Sequence, residues 1–152
     1  MMIDRAHEAD RAAINELLAA SDLPLLDRDL ALEENPFFVA RDPDLRGCAG
    51  LQVAGDVALL RSVAVLSGER GTGLGQALVE AALAEAARRG VRSVWLLTTT
   101  AAGYFPRFGF TAVPRDSAPG AVRKTSEYCG LCPASAVLMR RDLPPFYASG
   151  NR

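Results

Sequence analysis

Ser67-Gly68-Glu69-Arg70-Gly71-Thr72-Gly73-Leu74-Gly75 decides the reading of this chain because of what stands on either side of it. Before it runs Val57-Ala58-Leu59-Leu60-Arg61-Ser62-Val63-Ala64-Val65-Leu66, a strand pattern rich in branched and apolar residues. After it runs a helix, rich in Ala and Leu, from Leu74 to Arg89, stopped by Gly90 at the position helices favour for glycine. Ser93-Val94-Trp95-Leu96-Leu97-Thr98 is the next strand. Strand, helix, strand in that order predicts a right-handed crossover and a parallel pair. The turn itself brings three close glycines, which let the backbone approach a ligand. The helix behind it starts with unpaired N–H groups and the positive end of its dipole, a setting that binds phosphate. Arg70 adds a forked cationic donor for the same anion.

Two familiar phosphate loops are excluded by the residues that follow. A P-loop ends in Gly-Lys-Ser/Thr, and the chain reads Gly75-Gln76-Ala77. A dinucleotide fingerprint needs a third small residue; counted from Gly71 that position is Gln76, and counted from Gly73 it is Leu78. The pyrophosphate of coenzyme A is the third ligand of this kind.

Outward from the turn, Ile3–Ala6 reads as a short strand and Asp10–Ala20 as a helix, with Ala13, Ile14, Leu17 and Leu18 on one face. A second short helix is expected over Leu26–Glu34, ended by Asn35-Pro36. Phe37–Arg41, Gly47–Ala54 and the strand from Val57 are linked by short turns, which favours antiparallel pairing. Beyond the crossover, a short helix over Ala101–Phe108 ends at Gly109. Phe110–Val113 is a strand, Ala121–Gly130 a helix, and Ser135–Arg140 the last strand.

Composition narrows the function classes. In 152 residues, 49% are hydrophobic and 23% charged, enough apolar content for one packed domain. The net charge of −1 gives no basic excess of the kind nucleic-acid binding requires. No apolar run is long enough to span a membrane, and the N-terminal residues lack the apolar stretch of a signal peptide, so a cytoplasmic protein is expected. Cys48, Cys129 and Cys132 are an odd set, against a disulfide framework.

On Arg70, Gly73 and Gly75 of the turn, the upstream Ser62-Val63-Ala64-Val65 strand and Phe108-Gly109-Phe110, the chain resembles the GNAT superfamily of N-acetyltransferases over about Ile3–Leu143. The resemblance implies a GNAT-type α/β (α+β) fold. Its sheet is mixed and mostly antiparallel, with a central parallel splayed strand pair, flanked by helices. It implies one domain over residues 1–143 and a loosely ordered tail over 144–152. It also implies acetyl-CoA as co-substrate, with no metal expected. The backbone of Val63 and Val65 would then take the pantetheine arm, and Arg70, Gly71, Gly73, Gly75 and Gln76 the pyrophosphate. The side chains of Val63 and Val65 are themselves read as core.

Many members carry a tyrosine acid four residues before the glycine of the Gly-Phe pair. That position holds Phe105, with Tyr104 one residue earlier. Tyr104, Ser126 and Tyr128 are the candidate catalytic residues, with Glu127 and Cys129 beside them; a water chain can also serve as base. His7 is read as a surface residue, and Glu33 and Glu34 as a solvated face.

The C-terminal third, with Arg123-Lys124-Thr125-Ser126-Glu127-Tyr128-Cys129-Gly130-Leu131-Cys132, is similar to the arsenic-resistance-associated branch. Together with Leu97-Thr98-Thr99, it also resembles the acetyltransferase domain of N-acetylglutamate synthases. Both imply a small-molecule amine acceptor resembling an amino acid, an organoarsenical or glutamate mimic, with Arg61, Arg123 and Lys124 as anion binders. A charge inside the apolar run 59–65 must face a substrate anion or a structural carboxylate, and Arg61 is read both ways. A homodimer is one expected assembly. Two further readings stay open: a non-catalytic acyl-CoA or arsenic sensor, suggested by Phe105 and the Cys129/Cys132 pair, and a protein or peptide N-acetyltransferase.

Overall fold

A computed structural model describes residues 2–131 and 135–144. Cys132, and the tail beyond Pro144 apart from that residue, lie outside the described residues. Seven strands form one sheet in the order β1-β2-β3-β4-β5-β7-β6. They are β1 (Ile3–Arg5), β2 (Phe37–Arg41), β3 (Leu45–Ala54), β4 (Val57–Val65), β5 (Ser93–Thr98), β6 (Thr111–Val113) and β7 (Val137–Asp142). The helices are α1 (Arg11–Ala20), α2 (Leu74–Arg88) and α3 (Gly120–Arg123). β4 and β5 run parallel, with Val57 opposite Ser93 and Leu59 opposite Trp95, as the strand–helix–strand order predicts. The other registered pairs, β1–β2, β2–β3, β5–β7 and β6–β7, are antiparallel. By contacts the described chain falls into two compact units: residues up to Gln52 with Leu60–Glu85, and Val53–Leu59 with the residues from Ala86 onward.

The first unit has an apolar cluster on each face of its strands, as the period of two along a strand requires. Phe37, Val39, Cys48 and Ala64 pack with Ile14, Leu17 and Leu18 of α1. Their alternates Phe38, Ala40, Ala49, Val63 and Val65 pack with Leu74 and Leu78 of α2. Gly50 lies opposite Phe37 across β2–β3, and a Cβ there would stand 2.2 Å from the Phe37 ring. Only glycine lets that ring lie flat over the strand. In the second unit, Leu59, Trp95, Ala118, Val122 and Leu138 form the core.

Three expectations need correction. Residues 26–34 form turns, not a helix. Their backbone groups are taken by side chains: Arg11 donates to the carbonyls of Asp27 (3.0 Å) and Leu30, Glu8 accepts from Leu32 N–H (2.9 Å), and Asn15 accepts from Leu26 N–H (2.9 Å). A carbonyl or N–H held this way does not join an i→i+4 ladder. Leu26, Leu30 and Leu32 still reach the α1-side cluster, from loop backbone. The segment 101–108 is a turn followed by a single 3₁₀ helix, Phe105–Phe108, because Pro106 supplies no N–H and Gly109 (φ 85°) turns the chain left-handed. Residues 121–130 divide into α3 and a π-helix, Glu127–Leu131, separated by a break at Lys124 and Thr125.

Candidate functional site

The turn between β4 and α2 has the geometry its glycines require. Gly71 (φ 82°) and Gly73 (φ 87°) are left-handed, where an L side chain is strained by roughly 1–2 kcal/mol. Nothing lies within 4 Å of where a Cβ would stand on either, so the glycines answer to backbone conformation and to access from outside. Residues 70–73 are exposed. The first α2 hydrogen bond runs from Ala77 N–H to Gly73 C=O at 3.0 Å. The N–H groups of Leu74, Gly75 and Gln76 therefore have no acceptor within the helix. Thr72 Oγ1 stands 3.4 Å from Leu74 N and donates to Glu69 C=O at 2.6 Å, which fixes the turn on its inner side. A line of amides at a helix start, beside the exposed cation of Arg70, can hold a phosphate. Val63 and Val65 point their side chains into the α2-side cluster, as expected for core.

β4 itself is not a regular strand. Ser62 has φ 59°, left-handed for a non-glycine residue, at a cost of order 1–3 kcal/mol. The alternation of faces breaks there. Arg61 reaches Asp27, whose neighbours Leu26 and Leu30 pack on the α1 side, whereas Val63 packs on the α2 side. The Arg61 side chain is fully buried. Its Nη1 donates to Gln52 Oε1 at 3.0 Å and lies 3.7 Å from Asp27 Oδ2, and its Nε lies 3.2 Å from Ser62 Oγ. Of the two settings read from the sequence, the structure fills the one with a structural carboxylate.

The Cys48 thiol donates to Ser62 C=O at 3.2 Å. Burial pushes it up to about 12, against an opposing hydrogen bond to its sulfur from the Ala64 backbone N–H. Cys48, Gln52, Asp27 and Ser62 were not among the predicted site residues. The polar pair Arg61-Ser62 inside an apolar run was the signal for the bulge.

In the second unit, Arg123 is exposed and spends its guanidinium on the carbonyls of Ala118 (2.9 Å) and Asp116. Arg115 donates to Ala136 C=O (3.2 Å) and Tyr128 C=O (3.4 Å), and stacks over the Tyr128 ring at 4.8 Å. Tyr128 is half-buried and donates back to Arg115 C=O at 3.3 Å. Ser126 is half-buried and Lys124 exposed. Tyr104 packs edge-on against Phe105 and Phe108, both at 5.3 Å, under the Arg107 guanidinium. Phe105 and Phe108 are buried. Cys129 is exposed and donates to Arg123 C=O at 2.9 Å. In the first unit, His7 and Glu33 are exposed and 3.9 Å apart. Among the described residues no group of three or more His, Cys, Asp or Glu side chains is placed to hold a metal ion.

Comparison with known proteins bears on the same segments. A curated protein from Chlorobaculum tepidum, described as an uncharacterized N-acetyltransferase, is 35% identical over 102 residues. That match covers 64% of this chain and 61% of the relative, so the chain spans under two thirds of that protein's length. Rv2747 from Mycobacterium tuberculosis, solved in complex with CoA and NLQ, superposes with a TM-score of 0.78 at 26% identity, over 95% of this chain and 100% of that one. N-acetylglutamate synthase from Neisseria gonorrhoeae, complexed with coenzyme A and L-arginine, shares the fold (TM-score 0.76, 24% identity), over 93% of this chain and 33% of that one. The family model described as the acetyltransferase (GNAT) domain matches residues 33–112, from the strand before the first hairpin through the glycine turn to the strand after Gly109. That span is more than half the chain, and the protein belongs to the GNAT acetyltransferase family.

Proposed function

We propose that the protein is an acetyl-CoA-dependent N-acetyltransferase whose acceptor is the amine of a small, anionic, amino-acid-like molecule, a glutamate mimic or an organoarsenical. The observation that carries the reading is the exposed turn, in which Gly71 and Gly73 are left-handed and lead into the amides of Gly75 and Gln76, which have no acceptor within α2. Family membership and the likeness to Rv2747, whose structure holds CoA, support it.

On this reading Arg70, Gly71, Gly73, Gly75 and Gln76 hold the pyrophosphate, through backbone N–H groups and one guanidinium. The peptide groups of Val63 and Val65 hold the pantetheine arm. The Val65 N–H polarises the thioester carbonyl, as a donor in an oxyanion hole does. When bound, acetyl-CoA supplies an activated acetyl group to a neutral amine. The amine loses its proton to a water chain, and the departing thiolate takes one from Tyr104, Ser126 or Tyr128. The acceptor's anionic head pairs with Arg61, or with Arg123 and Lys124.

The test is acetyl transfer from acetyl-CoA, read by mass spectrometry, against glutamate, phosphinothricin, arsenic-containing glutamate mimics, neutral amino acids and short peptides. Acetylation of anionic amino acids alone is expected. Arg61→Lys, which keeps the charge but loses the fork, is expected to raise KM for that acceptor about tenfold with little change in kcat. An unchanged KM would leave Arg61 with its Asp27 and Gln52 partners only. Coenzyme A binding without transfer to any amine would replace the enzyme by a sensor.

A further inference from the structure

We infer that Thr72 is a positioning residue: its hydroxyl helps to divide the amides of the turn into a bound set and a free set, and the free set is what a diphosphate meets. The amides alternate along the chain. Those of Arg70, Thr72 and Leu74 are used inside the turn, by Ser67 C=O (3.3 Å), Glu69 C=O (3.3 Å) and Thr72 Oγ1 (3.4 Å). Those of Gly71, Gly73, Gly75 and Gln76 have no hydrogen-bond acceptor among the described residues. Backbone hand alternates with them: φ is positive at Gly71 and Gly73 and negative at Thr72 and Leu74. Backbone of alternating hand sets successive N–H groups around a concavity that takes an anion.

Thr72 takes part in two of the three inner bonds and adds a third of its own. Its N–H and its hydroxyl both donate to Glu69 C=O, the hydroxyl at 2.6 Å. With its proton spent on Glu69, the oxygen keeps its lone pairs for the Leu74 N–H. Glu69 is itself anchored. Its N–H donates to Leu66 C=O at 2.8 Å, and Leu66 N–H donates to Arg46 C=O on β3 at 2.9 Å. Its carboxylate lies 3.8 Å from Arg46 Nη1. The two glycines beside Thr72 have no side chain to hold them, and glycine loses the most freedom on ordering. Without the hydroxyl, a bound diphosphate would have to order them itself, and affinity would fall by that cost. Thr72 is exposed, so its role lies in the hydroxyl and not in bulk. Valine has the shape of threonine and neither function; serine has both.

The effect on coenzyme A rests on the function proposed above; the hold of the hydroxyl on the turn does not. Two readouts separate them. The first is hydrogen exchange of the Leu74 amide in the protein without ligand. It is expected to quicken by about threefold to tenfold in Thr72→Val, the range that one lost hydrogen bond implies, and to stay near wild type in Thr72→Ser. The second is affinity for coenzyme A by titration calorimetry, expected to fall about tenfold in Thr72→Val and less than about threefold in Thr72→Ser. Melting temperatures of both variants should stay within a few degrees of wild type, since the side chain is exposed. Equal affinity losses in the two variants, or none in either, would overturn the positioning role. So would an unchanged Leu74 exchange rate in Thr72→Val. A loss of affinity matched by a large fall in melting temperature would make Thr72 a structural residue instead. A wild-type protein that binds no coenzyme A would sink the proposed function, while the exchange contrast still decides the hold on the turn.

Discussion

The stretch from Val57 to Arg88 and the stretch from Pro114 to Leu131 hold irregular backbone by different means. In the first, conformation is written into residue type. Two left-handed glycines open a helix whose buried side chains Leu74, Leu78, Ala82 and Ala86 recur every fourth residue. Side chains enter at the bulge, through Cys48 and Arg61, and once in the turn, through Thr72. In the second, long side chains hold carbonyls that no ladder uses: Arg115 grips Ala136 and Tyr128, Arg123 grips Asp116 and Ala118, and Tyr128 grips Arg115 in return. On the proposed reading, the segment coded by backbone preference carries its function in its peptide groups, and a mutation there is expected to act on ligand binding. A segment held by side-chain staples is expected to respond first in stability.

Gly73→Asp is the largest test of the first half of that contrast. An aspartate at φ 87° is strained, and its carboxylate would face the proposed pyrophosphate site at the positive end of α2. Coenzyme A affinity is expected to fall more than about a hundredfold by titration calorimetry, the sum of strain and charge. The melting temperature should shift only a few degrees, because the Cβ meets nothing within 4 Å. Gly73→Ala separates the parts: it carries the strain without the charge, and about a tenfold loss is expected. Normal coenzyme A binding by Gly73→Asp would mean that this turn is not the phosphate site.

Arg123→Gln tests the other half with a smaller effect. It removes charge-assisted bonds to two carbonyls on an exposed segment, worth about 1–2 kcal/mol together. Limited proteolysis should then cut residues 114–131 sooner, with coenzyme A affinity unchanged. A fall in that affinity would break the contrast, since the second stretch would then be shaping the cofactor site as well.

The same contrast explains what the sequence made legible. β2 and β5 fall where alternation and turn residues put them, and α2 starts where the glycines end. These features are local, and the parallel β4–β5 pair follows from element order alone. The loop at 26–34 misled because its apolar leucines and acidic residues suit a helix. The competing partners, Arg11, Glu8 and Asn15, lie ten or more residues upstream and no window sees them. Cys48 is buried, and its backbone partner, the Ser62 carbonyl, lies 14 residues away, beyond what a local pattern shows. Arg61 was legible as an anomaly because charge within an apolar run is costly, yet Asp27 and Gln52 could not be named from spacing.

The smallest effect asks whether a side-chain staple in the first unit also acts on stability alone. Asp10, at the start of α1, accepts from Arg41 Nη1 at 3.0 Å through one oxygen and from His7 N–H at 2.9 Å through the other. The Arg41 hydrogen bond, with the His7 N–H and the Arg41 charge, holds the Asp10 carboxyl below its ordinary value against the opposing effect of burial. A carboxyl depressed in the folded state binds its proton less readily than in the unfolded chain, so folding is favoured wherever the group is ionised. That contribution is complete at neutral pH and is lost as pH falls from the unfolded value, about 3.9, through the depressed folded one. The Arg41 side chain is 38% exposed, so solvent screens the pair and it is worth less than about 1 kcal/mol. Urea denaturation of wild type and Asp10→Asn should therefore differ by that amount at pH 7 and converge near pH 2, with coenzyme A affinity equal throughout at neutral pH. A difference that persists at low pH would assign the effect to packing, since an amide oxygen can still accept the His7 N–H. A change in coenzyme A affinity would show that staples in the first unit, unlike that of Arg123, reach the turn.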